Sequence, residues 1–180
     1  ALASGGFQIE EYARLQYPEG ILIDDPEYRE DYDYQDLADQ TTALLQRENV
    51  VIFEAAFYID HLFIRTDLLV KKGNQIKLIE VKAKSIDPRK EDNFLTKKKR
   101  KIVSEWKPYL FDLAFQTYVA QKCLPNCKIT PYLCLVDKTK ATASCCKSGS
   151  SKRVSGAIPV KLILFVRASW LFELPSGAFC

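Results

Sequence analysis

The sequence predicts an α/β domain in which helices flank a central mixed β-sheet. Short runs rich in Val, Ile and Leu, bounded by turn residues, are typical of buried strands. Longer segments with apolar residues three and four positions apart are typical of helices. Both kinds of segment occur along a chain of 180 residues that is 47% hydrophobic. That length and composition are sufficient for one domain with a sizeable core.

Two helices are predicted before the first strand, and an acidic segment separates them. The first has a broken apolar stripe over residues 7–16 and ends before Pro18. The second is predicted from about residue 34 to residue 47. The intervening residues 24–33 are dense in Asp and Glu. This segment either mimics phosphate and shields a basic groove or is a solvated linker.

Three strands are predicted next, and two of them form a hairpin. An apolar run at residues 50–57 carries Glu54 in its middle. Two further runs, 65–70 and 76–82, are joined by the turn dipeptide Gly73-Asn74. A short turn of this type between two apolar runs predicts an antiparallel hairpin.

A helix and a fourth strand are predicted after a basic loop. The helix covers about residues 109–119, and the strand covers 128–136 and completes the mixed sheet. Residues 141–180 are atypical, because a polar low-complexity stretch precedes an apolar one. The tail is interpreted either as a linker with a closing strand or helix, or as a segment that replaces the genuine continuation of the domain.

The predicted hairpin brings together residues suited to phosphodiester chemistry. Its strands carry Asp67 on one side and Glu80 with Lys82 on the other. Adjacent strands lie about 4.8 Å apart, so the two carboxylates can share a divalent ion. Such an ion polarises a phosphodiester and lowers the pKa of a bound water, and a nearby lysine offsets charge in the transition state. The alternative is an ordinary pair of strand-end carboxylates with Lys82 as their salt-bridge partner.

The charge distribution favours a polyanionic partner. The first 40 residues hold 11 Asp or Glu and two Arg, a net charge of −9, and the whole chain is +3, so the remaining residues carry +12. A basic surface beside a metal site suits nucleic acid, although a charge run is also typical of a solvated loop. The predicted phosphate contacts are Lys84, Lys97, Lys98, Lys99, Arg100 and Lys101.

The order of these features resembles a known nuclease group. A strand with Glu, a strand with Asp, a strand with Glu-x-Lys and a helix with Gln are supplied in turn by Glu54, Asp67, Glu80, Lys82 and Gln116. This order resembles the RecB-like branch of the PD-(D/E)xK nuclease superfamily. The runs 53–57 and 112–116 look most similar to an uncharacterised bacterial family related to the CRISPR-adaptation nucleases. The resemblance covers about residues 7–137.

The resemblance implies a restriction-endonuclease-like core and a Mg²⁺- or Mn²⁺-dependent deoxyribonuclease that uses metal-activated water. One nuclease-like domain then spans residues 1–140, with a helical acidic lead-in over 1–48 and the catalytic core over 49–140. The family has a Tyr several residues after the Gln, whereas Tyr118 follows by only two and is expected to be a core aromatic. The implied roles are metal binding by Asp67, Glu80, Glu54 and the carbonyl of Val81, catalysis by Lys82, and support of the site by Gln116.

The cysteines and the lone histidine match no common metal-binding template. A soft-metal site of Cys123 and Cys127 with Cys145 and Cys146 is one interpretation, although the spacing fits no common zinc motif. The related nucleases hold an iron–sulfur cluster with one Cys before the core, and no Cys precedes Cys123 here. An iron–sulfur cluster is therefore not expected. Cys123 and Cys134 are predicted to be buried thiols, and His61 is predicted to be a turn residue.

The expected partner is DNA, although these residues do not distinguish DNA from RNA, and oligomeric state is left open. The chain has no apolar run of 18 residues, so a membrane span is not expected. It has no basic start followed by an apolar block, so a signal peptide is not expected either. A cytoplasmic location is predicted. Two other functions compete with the nuclease. One is a catalytically inactive nucleic-acid-binding module, and the other is a metal-independent interaction domain that acts through the acidic lead-in.

Overall fold

Six strands form one mixed sheet with helices on both faces, as the α/β prediction requires. The structure is a computed structural model that describes residues 3–23, 33–90, 93–96, 101–140 and 163–168. Its main elements are α1 (Ala3–Arg14), β1 (Ile21–Leu22), α2 (Tyr34–Leu45), β2 (Asn49–Ile59), β3 (Leu62–Lys72), β4 (Gln75–Ile86), α3 (Lys107–Cys123), β5 (Lys128–Asp137) and β6 (Ile163–Arg167).

The strands lie in the sheet in the order of the sequence, from β1 to β6. The inner pairs β2–β3 and β3–β4 are antiparallel, and β4 and β5 are parallel. The parallel pair is connected by α3, which crosses over one face of the sheet. The edge strand β1 pairs parallel with β2, and β6 pairs antiparallel with β5.

Two tight hairpins build the centre of the sheet. Asp60 and His61 connect β2 to β3 with φ values of 50° and 63°, the left-handed conformation typical of two-residue hairpin turns. Gly73 begins the turn between β3 and β4 with φ 56°, where glycine avoids the steric cost of a side chain. The predicted hairpin is therefore confirmed, and His61 is an exposed turn residue as predicted.

Two apolar clusters cover the two faces of the sheet. Because successive strand residues point to opposite faces, Leu78 packs in a cluster with α2 and α3, and Ile79 packs in a cluster with α1. Within the first cluster the buried Thr41 joins α2 to β2, since its hydroxyl accepts a hydrogen bond from the Ala56 N–H at 2.9 Å. This contact fixes β2 two residues after Glu54.

The lead-in also packs closely against β2. Phe53 is buried, and a Cβ added to Gly20 would overlap its ring. On another side of the same ring, the guanidinium of Arg14 lies 5.5 Å from the ring centroid. The segment after α1 therefore holds the residue that precedes Glu54.

Several predictions need correction or fall outside the described residues. β1 and β6 were not predicted as defined strands, and β6 supplies the closing strand that was one interpretation of the tail. Tyr118 is 54% exposed, so its prediction as a core aromatic is wrong. The segments 24–32, 97–100, 141–162 and 169–180 lie outside the described residues. In the part of the chain that the structure describes, no helix is long and apolar enough to span a membrane.

Candidate metal centre

Three carboxylates lie level on three neighbouring strands. The ladder between β2 and β3 pairs the residues on either side of Glu54 with those on either side of Asp67. The last pair between β3 and β4 joins Leu68 to Ile79, and the next step of an antiparallel ladder brings Asp67 opposite Glu80. The sheet therefore aligns the three predicted acidic ligands in one row.

Asp67 lies in the middle of this row and has little to stabilise its charge. Its Oδ2 accepts a hydrogen bond from the Val81 N–H at 2.6 Å. Burial and then the charge of Glu80 raise the pKa of Asp67 from 3.8 to about 8, although the Val81 N–H and Lys82 act in the opposite direction. A metal-free site therefore favours the protonated form of Asp67 at neutral pH.

Glu80 is the most deeply buried of the three, with 3% of its surface exposed. Its Oε1 forms an ion pair with the Lys82 ammonium, and its Oε2 accepts a hydrogen bond from Gln116 Nε2 at 2.8 Å. Burial raises the pKa of Glu80, while Lys82 and Gln116 counteract the increase. Burial alone would lower the pKa of Lys82, but its pairing with Glu80 raises it.

One edge of α3 closes the site above β4. Asp112 and Gln116 lie one helical turn apart, and their side chains meet at 3.4 Å between Asp112 Oδ1 and Gln116 Nε2. Lys82 Nζ lies 3.7 Å from Asp112 Oδ2 and 5.9 Å from the centroid of the Tyr109 ring. Within the described structure Gln116 Oε1 is buried without a hydrogen-bond partner. The predicted role of Gln116 beside Glu80 is thus matched by its position.

Glu54 has different surroundings from the other two carboxylates. Its backbone is left-handed, with φ 56°, a conformation that costs a residue with a side chain about 1 kcal/mol or more. Its carboxylate lies 2.7 Å from Arg14 Nη2 and 3.6 Å from Arg65 Nη2. Burial raises the pKa of Glu54, and the two arginines counteract the increase. Metal binding by Glu54 therefore stays a prediction, because arginines contact its carboxylate in this conformation.

The predicted cationic surface is only partly described. Lys84 lies on the same face of β4 as Lys82, as predicted, and its Nζ is 5.1 Å from the ring centroids of both Trp106 and Tyr109. It also lies 3.5 Å from Glu105 Oε2. Lys101 is exposed, whereas Lys97, Lys98, Lys99 and Arg100 lie outside the described residues.

A hard divalent ion fits the donors at Asp67 and Glu80. The buried Glu80 and the half-buried Asp67, both with raised pKa values, lie near an amide oxygen without a hydrogen-bond partner in the described structure, Gln116 Oε1, and together they form an oxygen-rich site. Mg²⁺ uses one or two carboxylates and completes its shell with water and phosphate oxygens. Among the described residues, no group of three or more His, Cys, Asp or Glu is arranged to hold a metal ion. A divalent ion at this site would therefore have two carboxylate ligands from the protein, and water or substrate would supply the others.

The described cysteines are apolar in character. Cys134 is fully buried, as predicted, and burial raises the pKa of its thiol to about 12. Cys123 is half-buried and packs against the core, and burial raises the pKa of its thiol as well. Both are free thiols. Thiols buried in apolar surroundings are unreactive as nucleophiles at neutral pH.

Three site residues were missed in the sequence. Asp112 precedes Gln116 by one helical turn, a spacing that indicates a shared helix face. Arg65 precedes Asp67 by two strand positions, a spacing that indicates a shared sheet face. Arg14 had no such signal, because it lies 40 residues from Glu54 and in an acidic segment.

Comparison of the chain with protein-family models, with curated proteins and with solved structures finds no match in any of the three. Function is therefore argued from the geometry and chemistry of the site.

Proposed function

We propose that this protein is a Mg²⁺- or Mn²⁺-dependent nuclease that hydrolyses phosphodiester bonds of DNA. Its sheet and helices would then form a restriction-endonuclease-like core with the motif order of the RecB-like branch. The observation that carries the proposal is the half-buried Asp67 and the buried Glu80 on adjacent strands, with the pKa of Asp67 raised to about 8. Buried carboxylates are destabilising without a cation, and Lys82 balances only one of the two charges.

The residues of the site divide the chemistry among them. When bound, the ion supplies Lewis acidity and a water of lowered pKa. Asp67 and Glu80 hold it, with the Val81 carbonyl as a further donor, and Gln116 orients Glu80 through the 2.8 Å hydrogen bond. Lys82 carries the positive charge that stabilises the phosphorane-like transition state.

Basic residues near the site in the sequence are the expected contacts for the substrate phosphates. Lys84 follows Lys82 on the same face of β4, and the basic loop from Lys97 to Lys101 comes between this strand and α3. Contacts between lysines and phosphates release counterions, so binding weakens steeply as salt increases. A gel-shift series between 50 and 200 mM salt measures this dependence.

A cleavage assay tests the proposal directly. The substrates are linear and circular DNA, single- and double-stranded, and a matched RNA, each incubated with Mg²⁺, Mn²⁺ or EDTA. The parent is expected to cleave only with metal, and Asp67→Ala and Lys82→Ala are expected to be inactive. Equal cleavage by the parent and both variants would indicate a contaminating nuclease and would contradict the proposed site.

A catalytically inactive nucleic-acid-binding module is the second candidate. It is favoured by the direct pairing of Lys82 with Glu80 and of Arg14 with Glu54, which stabilises the carboxylates without metal. DNA binding that persists in EDTA, with no metal-dependent cleavage of any substrate, would support this candidate and would contradict the nuclease.

A further inference from the structure

Lys82 lies between two carboxylates of very different exposure. Its ammonium is paired with Glu80 Oε1 and is 3.7 Å from Asp112 Oδ2. The Glu80 side chain is 4% exposed, whereas the Asp112 side chain is 46% exposed. Glu80 therefore holds the ammonium inside the site, and Asp112 offers a second anionic position at the rim.

Gln116 contacts the same two carboxylates. Its Nε2 donates to Glu80 Oε2 at 2.8 Å and lies 3.4 Å from Asp112 Oδ1. One ammonium and one amide thus contact both acids, and the four side chains form a closed ring. In such a ring the ammonium can move from one acid to the other while the amide keeps both acids in position.

A divalent ion at Glu80 changes the balance within this ring. Glu80 would hold the ion with carboxylate oxygens that Lys82 now contacts, and the Lys82 ammonium would be repelled. A half-buried ammonium that loses its nearest carboxylate is destabilised, because its desolvation is less well compensated. Asp112 Oδ2 lies 3.7 Å from the Lys82 ammonium, within a short side-chain movement.

We infer that Asp112 is a positioning residue that receives the Lys82 ammonium when a divalent ion binds Glu80. This inference rests on the proposed metal-dependent function, and it assigns a role to a residue that neither the motif order nor the charge pattern identified. Lys82 thereby stays beside the substrate after the ion displaces it from Glu80.

Calorimetric titration with Mn²⁺ tests this role without depending on cleavage. The full chain is compared with Asp112→Asn, Lys82→Met and the double variant. Asp112→Asn is expected to weaken Mn²⁺ binding by about twofold to fivefold, the range of one partly exposed ion pair. In the Lys82→Met background the same change is expected to have no effect, because there is no ammonium to receive.

The control is Glu105→Gln, which removes one negative charge beside Lys84 on the same rim and is expected to leave Mn²⁺ affinity unchanged. Circular dichroism melting establishes that each variant is folded, and Lys82→Gln replaces Lys82→Met if the latter does not fold.

The outcomes distinguish a failure of this inference from a failure of the proposed function. Equal weakening of Mn²⁺ binding by Asp112→Asn in both backgrounds would mean that Asp112 attracts the ion directly. No weakening in the parent background would mean that Lys82 needs no second partner. Either result overturns the inference and leaves the metal site intact. A parent that binds no Mn²⁺ would overturn the proposed function and this inference with it.

Discussion

The two flanks of the acidic row stabilise their carboxylates in opposite ways. On the α1 flank, Glu54 has two guanidinium groups within 3.6 Å. On the α3 flank, Glu80 has one ammonium and one neutral amide. Asp67 lies between them with a backbone N–H as its hydrogen-bond donor. Asp67 and Glu80 thus have fewer cationic groups near them than Glu54 has.

This difference indicates where a cation gains most. An ion at Glu54 would compete with Arg14 and Arg65, whereas an ion between Asp67 and Glu80 relieves charge that the protein leaves poorly compensated. We therefore expect the α1 flank to hold the strand and the α3 flank to be the one that binds an ion. The variants that follow test this division between the two flanks.

The largest effect is expected from Asp67→Asn. Loss of a carboxylate from a two-carboxylate site should abolish measurable Mg²⁺ binding and lower the cleavage rate by about 10³-fold or more. Calorimetry and single-turnover cleavage measure the two effects. Asp39→Asn, the same chemical change on the exposed surface of α2, is the control, and comparable losses in both variants would refute a specific role for Asp67.

The pKa of Asp67 predicts how stability depends on pH. The pKa of Asp67 rises from its ordinary value of 3.8 to about 8 in the folded protein. Between these two pH values the folded state therefore binds one more proton than the unfolded state. Stability in EDTA should therefore fall as pH rises from about 4 to 8, and then level off. Melting temperatures across this range measure the effect.

Two comparisons isolate the group responsible for this pH dependence. Mg²⁺ should restore stability most strongly near pH 8, because it binds the ionised carboxylate. Asp67→Asn should make the profile flatter. A slope that is unchanged in that variant would assign the pH dependence to another group.

A smaller loss is expected from Gln116→Leu. The substitution removes the amide that donates to Glu80 and leaves the side-chain volume similar, so metal affinity should fall by about 10- to 100-fold. Calorimetry with Mn²⁺ measures it. Gln121→Leu, on the exposed side of the same helix, should change affinity little, and an equal fall in both would point to a general effect on α3.

Arg14→Gln tests the α1 flank. It removes the 2.7 Å ion pair with Glu54, and a partly exposed pair of this kind contributes about 1 kcal/mol or less to the free energy of unfolding. Metal affinity should stay constant or increase, since the Glu54 carboxylate would no longer be paired with Arg14 and would be free to approach Asp67. Urea unfolding and calorimetry measure the two quantities. Weaker metal binding would instead place Arg14 on the metal-binding side of the division.

The smallest effect concerns backbone conformation. His61 and Glu54 both have left-handed φ values, which glycine adopts without steric cost. His61→Gly should raise the free energy of unfolding by about 0.5–1 kcal/mol and leave metal binding unchanged. Glu54→Gly should relieve the same strain but also lose the contacts to both arginines. If the two variants stabilised the protein equally, Glu54 would contribute nothing to holding α1.

The sequence was most informative where local spacing determines geometry. The hairpin and the common face of Glu80, Lys82 and Lys84 follow from the two-residue period of strands, and both are confirmed. The approach of Gln116 to Glu80 was implied by motif order. These features depend on neighbours in the chain or on one helix crossing the sheet.

Features that depend on distant contacts were not predictable. β1 has two residues, too few to show a period. Three aromatics of α3, at positions 111, 115 and 118, are exposed and recur at helical spacing, so an aromatic stripe did not mark the buried face of this helix and did not show that Tyr118 is exposed. The ion pair of Arg14 with Glu54 forms only after α1 packs on the sheet, and the net charge of the lead-in gave no sign of it.

The contact between Gly20 and Phe53 has an evolutionary consequence. A side chain at position 20 would displace the ring that precedes Glu54, so a mutation in the lead-in would shift the backbone next to the acidic row. Only a smaller residue at position 53 would make room for it. Among descendants of this chain, substitutions at positions 20 and 53 are therefore expected to appear together, although 33 positions separate them.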